Sequence, residues 1–249
     1  MADVLIDAES AHAFDEAQAR TLECIAVRDE APGVVTGAVF QGQGEPLHNY
    51  AAVIRAAEIL SHPCGGRITS KAITISTVGL VTAIERYAHE RHPYRLIVSL
   101  TSAIDERRKT LLPVAGAWPV AEVATAIRAY QRSAGGRVTI AWVLLGGINT
   151  GRDEVDALRE HFAGLPLRIN LIDVNDARPD GFRRATADEL ANFRDALRTL
   201  EVPVVRRYSG GAAKHAACGM LAGSVANTLL PARRGEGARS ADEGPGCAR

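Results

Sequence analysis

Six short apolar runs, each set off by a turn and most of them followed by a segment of helical periodicity, constrain this chain more than any other feature. The runs are Val34–Val39, Lys71–Ser76, Tyr94–Leu100, Arg137–Leu145, Leu167–Asp173 and Val202–Arg207. Between them, residues 50–60, 81–90, 120–133, 152–162 and 187–200 carry apolar side chains at helical spacing. A strand that is apolar almost without interruption is buried on both faces. Such strands in alternation with helices indicate a parallel sheet covered by helices, an α/β fold, with right-handed crossovers. Periodicity does not say whether the sheet closes. Residues 8–30 are expected to form a helix that ends at Ala31-Pro32-Gly33, and residues 232–249, almost without large apolar side chains, a disordered tail. One domain over residues 1–231 is therefore expected.

In parallel α/β folds the carboxyl ends of the strands build the site. Glu45, Ser76, Ser99, Asn149 and Asn175 each follow a strand, and they are expected to converge on one mouth. The turn Gly42-Gln43-Gly44-Glu45-Pro46 carries the most chemistry. Alternate glycines let backbone N–H groups approach a ligand, and Pro46 suits the start of a helix near Leu47. Glu45 then sets a carboxylate at the mouth, a natural receptor for an ammonium group. An ordinary strand-to-helix turn fits the same ten residues, because short glycine motifs recur by chance.

Charge and cysteine usage narrow the classes. Lys plus Arg equals Asp plus Glu at 29 each, so no global field announces a nucleic-acid partner. Local basic groups occur at Arg107-Arg108-Lys109, Arg183-Arg184 and Arg206-Arg207, in or beside expected loops and strand ends, where they either reach phosphates or form solvated surface. Cys24, Cys64, Cys218 and Cys247 include no C-x-x-C pair, which argues against a disulfide framework or a zinc knuckle and for a cytoplasmic protein. No apolar run reaches membrane-spanning length, and the acidic start Met1-Ala2-Asp3 is not that of a secretory signal. Trp118 and Trp142 are expected in the core rather than as platforms for bases.

The order of the motifs adds what no single one carries. Gly42-Gln43-Gly44-Glu45-Pro46-Leu47-His48-Asn49-Tyr50, Ile73-Thr74-Ile75-Ser76-Thr77-Val78-Gly79, Val98-Ser99-Leu100, Gly146-Gly147-Ile148-Asn149, Asn170-Leu171-Ile172-Asp173-Val174-Asn175 and Ala216-Ala217-Cys218-Gly219 follow one another over residues 34–223. In this the chain resembles the radical S-adenosylmethionine methyltransferases of the RlmN/Cfr group, which methylate adenine in ribosomal RNA and, in some members, transfer RNA. The resemblance implies a partial (β/α)6 barrel, TIM-like, with its first strand missing from this chain. It implies that Gly44 and Glu45 hold the amino group of S-adenosylmethionine and that Ser76 contacts its amino-acid or ribose part. Ser99, Leu100 and Thr101 would line the nucleoside, and Asn175 would lie near adenine or ribose. Cys218 would receive a methyl group and pass it on. A thiolate is the nucleophile such a step requires.

Three departures accompany the resemblance. Thr101 stands where family members commonly carry His, so a backbone contact there survives and an imidazole contact does not. Lys214-His215 precedes the Cys218 segment where the family usually has an acidic residue after Arg-Gly. The family's C-x-x-x-C-x-x-C loop, whose three thiolates hold a [4Fe-4S] cluster and leave one iron open for S-adenosylmethionine, is not found in these residues. The chain is therefore expected to begin just after that loop and to be inactive alone. The alternative is a cluster-free relative that binds S-adenosylmethionine or RNA without radical chemistry. A parallel edge left open at the missing strand would expose unpaired backbone, and Val4-Leu5-Ile6 is an apolar run that either covers it or frays.

Overall fold

The computed structural model describes residues 2–6, 35–41, 44–174 and 182–207, the first of these as backbone only. The helix expected over 8–30, the tail over 232–249, and Gly42, Asn175 and Cys218 lie outside the described residues. All six anticipated strands are present: β2 (Val35–Phe40), β3 (Ile73–Thr77), β4 (Arg95–Ser99), β5 (Val138–Leu144), β6 (Leu167–Asp173) and β7 (Val204–Arg207). A further strand, β1 (Ala2–Ile6), contains the Val4-Leu5-Ile6 run and pairs in parallel with β2, Ile6 opposite Phe40. The sheet runs β1 to β7 in chain order with every pairing parallel, and it curls into a partial barrel. The edge of β2 that was expected to lie open is thus occupied by a strand from this chain.

The helices are α1 (Tyr50–Ser61), α2 (Val81–Glu90), α3 (Asp105–Leu111), α4 (Val120–Ala134), α5 (Arg152–Phe162) and α6 (Ala187–Arg198). Five match the periodic segments. The sixth, α3, contains the basic group Arg107-Arg108-Lys109 and leads into a 3-10 turn over Pro113–Ala117.

Alternation along the strands assigns each residue to a face. Ile73, Ile75, Leu96, Val98, Ile140, Trp142, Leu144, Ile169 and Leu171 are buried beneath the helices. Trp142 packs on Phe193 of α6, ring centroids 5.7 Å apart, which confirms it as a core residue. The intervening residues Thr74, Ser76, Ser99, Thr139 and Asn170 point to the concave face, which is the more polar one. At roughly 25 cal/mol per Å² of apolar surface removed from water, the helix-covered face supplies most of the driving force. The polar concave face is left to the site.

Helix ends follow local chemistry. Thr186 and Glu189 form a reciprocal capping box at the start of α6, with Thr186 Oγ1 accepting from the Glu189 N–H at 3.2 Å and Glu189 Oε2 accepting from the Thr186 N–H at 2.8 Å. The start of α4 has no cap of its own. Asp105 Oδ1, from the neighbouring α3, accepts the Val120 N–H at 2.7 Å instead.

Candidate functional site

The carboxyl ends of β2, β3 and β4 bring together Gly44, Glu45, Ser76, Ser99, Leu100 and Thr101. Gly44 has φ +89°, a left-handed conformation that glycine adopts without a steric cost. Glu45 then caps the 3-10 turn Pro46–Asn49: its Oε1 accepts the Leu47 N–H at 3.0 Å. Its Oε2 accepts the Val78 N–H, from the loop after β3, at 2.7 Å. One carboxylate therefore joins two adjacent strand ends. A carboxylate offers about four acceptor positions, so these two backbone bonds leave capacity for a further donor.

Burial raises the Glu45 carboxyl above its ordinary range, while the Val78 and Leu47 N–H groups and the Thr77 hydroxyl act against that shift. A half-buried carboxylate held in this way gains from a nearby cation. In front of it opens a cleft of about 450 Å³, lined by Gly44, Glu45, His48, Asn49 and Val78 on one side and by Leu111, Leu112, Pro113 and Val114 on the other. Val114 is 54% exposed at its rim, an unusual exposure for a large apolar side chain here. The mouth can therefore hold a molecule with an ammonium group at one end and an apolar portion beside it.

Ser76 and Ser99 sit on the concave face with their hydroxyls 3.3 Å apart. Leu100 is fully buried, its N–H donating to Ala141 O at 3.1 Å. Thr101 is also buried and has φ +59°, a backbone region that non-glycine residues seldom occupy. Of the residues named from sequence, then, Glu45 with Gly44 and the group Ser76, Ser99, Leu100 and Thr101 are placed along neighbouring strand ends. Asn175 and Cys218 lie outside the described residues.

Asn149 does not join the mouth. It is fully buried, and its amide is consumed by backbone: Oδ1 accepts the Leu145 N–H at 2.8 Å, and Nδ2 donates to Thr101 O and Val143 O, both at 2.7 Å. A strand-end position alone did not distinguish a side chain facing the mouth from one folded back on its own loop.

The basic groups also differ from expectation. Arg108 is 1% exposed. Its guanidinium donates to Ala115 O at 3.1 Å and Trp118 O at 2.6 Å through Nη1, and to Val78 O at 2.6 Å through Nη2. Burial lowers its pKa, with the Asp105 charge acting in the opposite direction. Arg107 pairs with Asp153 and Glu154, Arg183 with Glu189, and Arg206 with Asp173. Arg108 is therefore a buried bridge rather than a surface group able to meet phosphate. Its helical spacing from Ile104 and Leu111, on an apolar stripe, was a signal that could have shown this.

Gly79 belongs to the same assembly. Its φ is +103°, and a Cβ there would meet Arg108 Nη2 at 3.0 Å and the Val123 methyls at 3.2 and 3.3 Å. Among the described residues no three His, Cys, Asp or Glu side chains group as a metal site, and Cys64, the described cysteine, is exposed. The Glu45 carboxylate at the cleft thus suits the ammonium end of a ligand. No helix among the described residues is long and apolar enough to cross a membrane.

No family model matches the chain. It is 47% identical over 211 residues to a probable RNA methyltransferase of Myxococcus xanthus, covering 84% of this chain and 58% of that protein. It is 36% identical over 198 residues to a probable dual-specificity RNA methyltransferase RlmN of Heliobacterium modesticaldum, covering 80% of this chain and 51% of that one. Among solved structures, a radical SAM methyltransferase from Sphaerobacter thermophilus superposes with a TM-score of 0.74 at 35% identity, covering 81% of this chain and 59% of the other. The chain spans between half and three fifths of the length of these relatives.

Proposed function

Over the stretch it shares with them, the chain belongs to the family of the RlmN-type radical S-adenosylmethionine RNA methyltransferases, and from that premise we propose that its mouth binds S-adenosylmethionine for methylation of adenine in RNA. The substrate is ribosomal RNA, with transfer RNA as a further one. Gly44 and the Glu45 carboxylate take the ammonium group, Ser76 the amino-acid or ribose part, and Ser99, Leu100 and Thr101 the nucleoside. Asn175 completes the adenine or ribose contact, and Cys218 carries the methyl group as a thioether. In that step the Cys218 thiolate displaces S-adenosylhomocysteine from the methyl carbon, so one C–S bond forms as another breaks.

A [4Fe-4S] cluster, where bound, would supply the electron that starts radical chemistry. Its three thiolates are not provided by any C-x-x-x-C-x-x-C run in these 249 residues, and no step is assigned to it. On this reading residues 1–231 are one barrel domain of a cytoplasmic protein, residues 232–249 are a tail, and the chain by itself does not methylate RNA. A cluster-free protein that binds S-adenosylmethionine or RNA is the second reading, favoured by the same lack of a thiolate loop.

The observation that carries the proposal is the Glu45 carboxylate, held by the Val78 N–H at 2.7 Å at the head of a cleft of about 450 Å³. Calorimetric titration with S-adenosylhomocysteine, which keeps the ammonium and nucleoside ends and cannot react, tests it. Binding is expected in the wild type, with a loss of about tenfold or more in E45Q from the lost charge-assisted bond. A wild type that takes up no ligand would refute the assignment of the mouth.

A further inference from the structure

We propose that Glu154 is the positioning residue of the wall after β4, holding Leu100–Ala103 in the course that turns through the left-handed Thr101. The proposal rests on the reading of Ser99, Leu100 and Thr101 as the nucleoside wall, and goes beyond it by assigning what keeps that wall in place. Thr101, at φ +59°, is strained and buried at once. A non-glycine residue persists there only when its surroundings over-determine it, and such strain concentrates at binding sites.

Those surroundings come from the next βα unit. Glu154, on α5, is fully buried. Its Oε1 accepts the Ser102 hydroxyl at 2.7 Å and its Oε2 accepts the Ala103 N–H at 2.7 Å. Arg107 Nη1 donates to the same Oε1 at 2.5 Å, and its Nη2 to Asp153 at 2.8 Å. From the other side, Asn149 Nδ2 accounts for the Thr101 carbonyl at 2.7 Å. Thr101 is therefore clamped at its own carbonyl and at the two residues that follow. Within the loop the turn is closed by the Ser102 N–H donating to Leu100 O at 2.7 Å, and from outside it is held by side chains 48 to 52 residues away in sequence.

Both carboxylate oxygens of Glu154 are bonded within the protein and the group is shut off from solvent, so it does not touch a ligand. It acts through the backbone it holds. E154Q keeps the shape but turns an N–H₂ toward either Arg107 or the Ala103 N–H, and so opens one side of the clamp. In S102A the buried carboxylate keeps its Arg107 and Ala103 partners and loses the hydroxyl, and the Ile104 N–H loses the acceptor it has in that hydroxyl at 3.2 Å; it is the second variant if E154Q folds poorly.

Hydrogen exchange read by mass spectrometry tests the clamp without any ligand. Peptides covering 98–104 are expected to exchange on the order of tenfold faster in E154Q, and by a smaller factor in S102A, while peptides over β3 and α2 stay at wild-type rates. Unchanged exchange at 98–104, or an equal rise across the whole chain, would overturn the proposal. A second arm titrates S-adenosylhomocysteine into the same variants, with roughly tenfold weaker binding expected for E154Q, since small displacements of positioning groups have effects of this size or more. Looser exchange with unaltered affinity would show that the clamp does not serve the mouth, and would also overturn the proposal. If the wild type itself fails to bind, the ligand reading falls, and the exchange arm still decides whether Glu154 holds the wall.

Discussion

Glu45 shows how much a single residue depends on its neighbours. Its carboxyl is raised above the ordinary range because burial disfavours the charge, against the pull of the Val78 and Leu47 N–H groups. A folded-state pKa above the unfolded one means that the protonated group stabilises the fold. That contribution is fully present below the unfolded value of 4.5 and is lost as pH rises through the folded value. Ligand binding runs the other way, because only the ionised carboxylate pairs with an ammonium group. Affinity for S-adenosylhomocysteine is therefore expected to fall on acidification at a higher pH than for an unperturbed Glu, with E45Q showing no such fall. Calorimetry across a pH series decides this, and identical pH profiles for the two proteins would refute it.

At the scale of elements, the loop after β3 is tied at both ends of one residue: the Val78 N–H donates to Glu45, and its carbonyl accepts from Arg108. Through Arg108 the loop is fastened to α3 and to the 3-10 turn that forms the far wall of the cleft. The cleft's two walls thus share a single guanidinium. R108M keeps the unbranched stem but removes the guanidinium from three carbonyls, of which Ala115 O keeps the Trp118 N–H, and is expected to lower stability to urea by about 2 kcal/mol. R108K should recover little of this, because an ammonium is a point donor and does not span three carbonyls as a guanidinium fork does. Full wild-type stability in R108M would show that the bridge contributes nothing. Asn149 and Glu154 repeat the principle one unit along, with side chains of β5's loop and α5 shaping the loop after β4.

For the whole molecule, the question is what a sheet of seven parallel strands with this mouth can do unaided. On the proposed reading the chain supplies the S-adenosylmethionine side of the site, and its 249 residues contain no C-x-x-x-C-x-x-C run. Anaerobic incubation with iron and sulfide is expected to yield no stable cluster, and incubation with RNA and S-adenosylmethionine no methyladenosine by mass spectrometry. A cluster absorption band abolished by replacing Cys24, Cys64 or Cys247, or a new methyladenosine, would contradict this. The β1 strand bears on solubility too, since its parallel pairing with β2 covers backbone that would otherwise form an exposed edge.

Among the described residues, the sequence by itself determined the parallel α/β architecture, six of the seven strands, five of the six helices and the turn that sets Glu45 at a strand end. These follow from local period and turn chemistry, which are properties of neighbouring residues in the chain. Tertiary structure alone decided where the polar side chains go. Arg107 and Arg108 are adjacent and look alike in sequence, yet one is an ion-paired rim group and the other a buried bridge, because α3 presents only one of them to the loop after β3. Asn149 and Ser76 are both expected from sequence at the mouth, yet only Ser76 faces the concave side. Whether Val4-Leu5-Ile6 pairs or frays is likewise decided by β2, which lies parallel beside it. Burial and hydrogen-bond partners depend on groups that are distant in sequence, and local pattern does not specify which of those arrive.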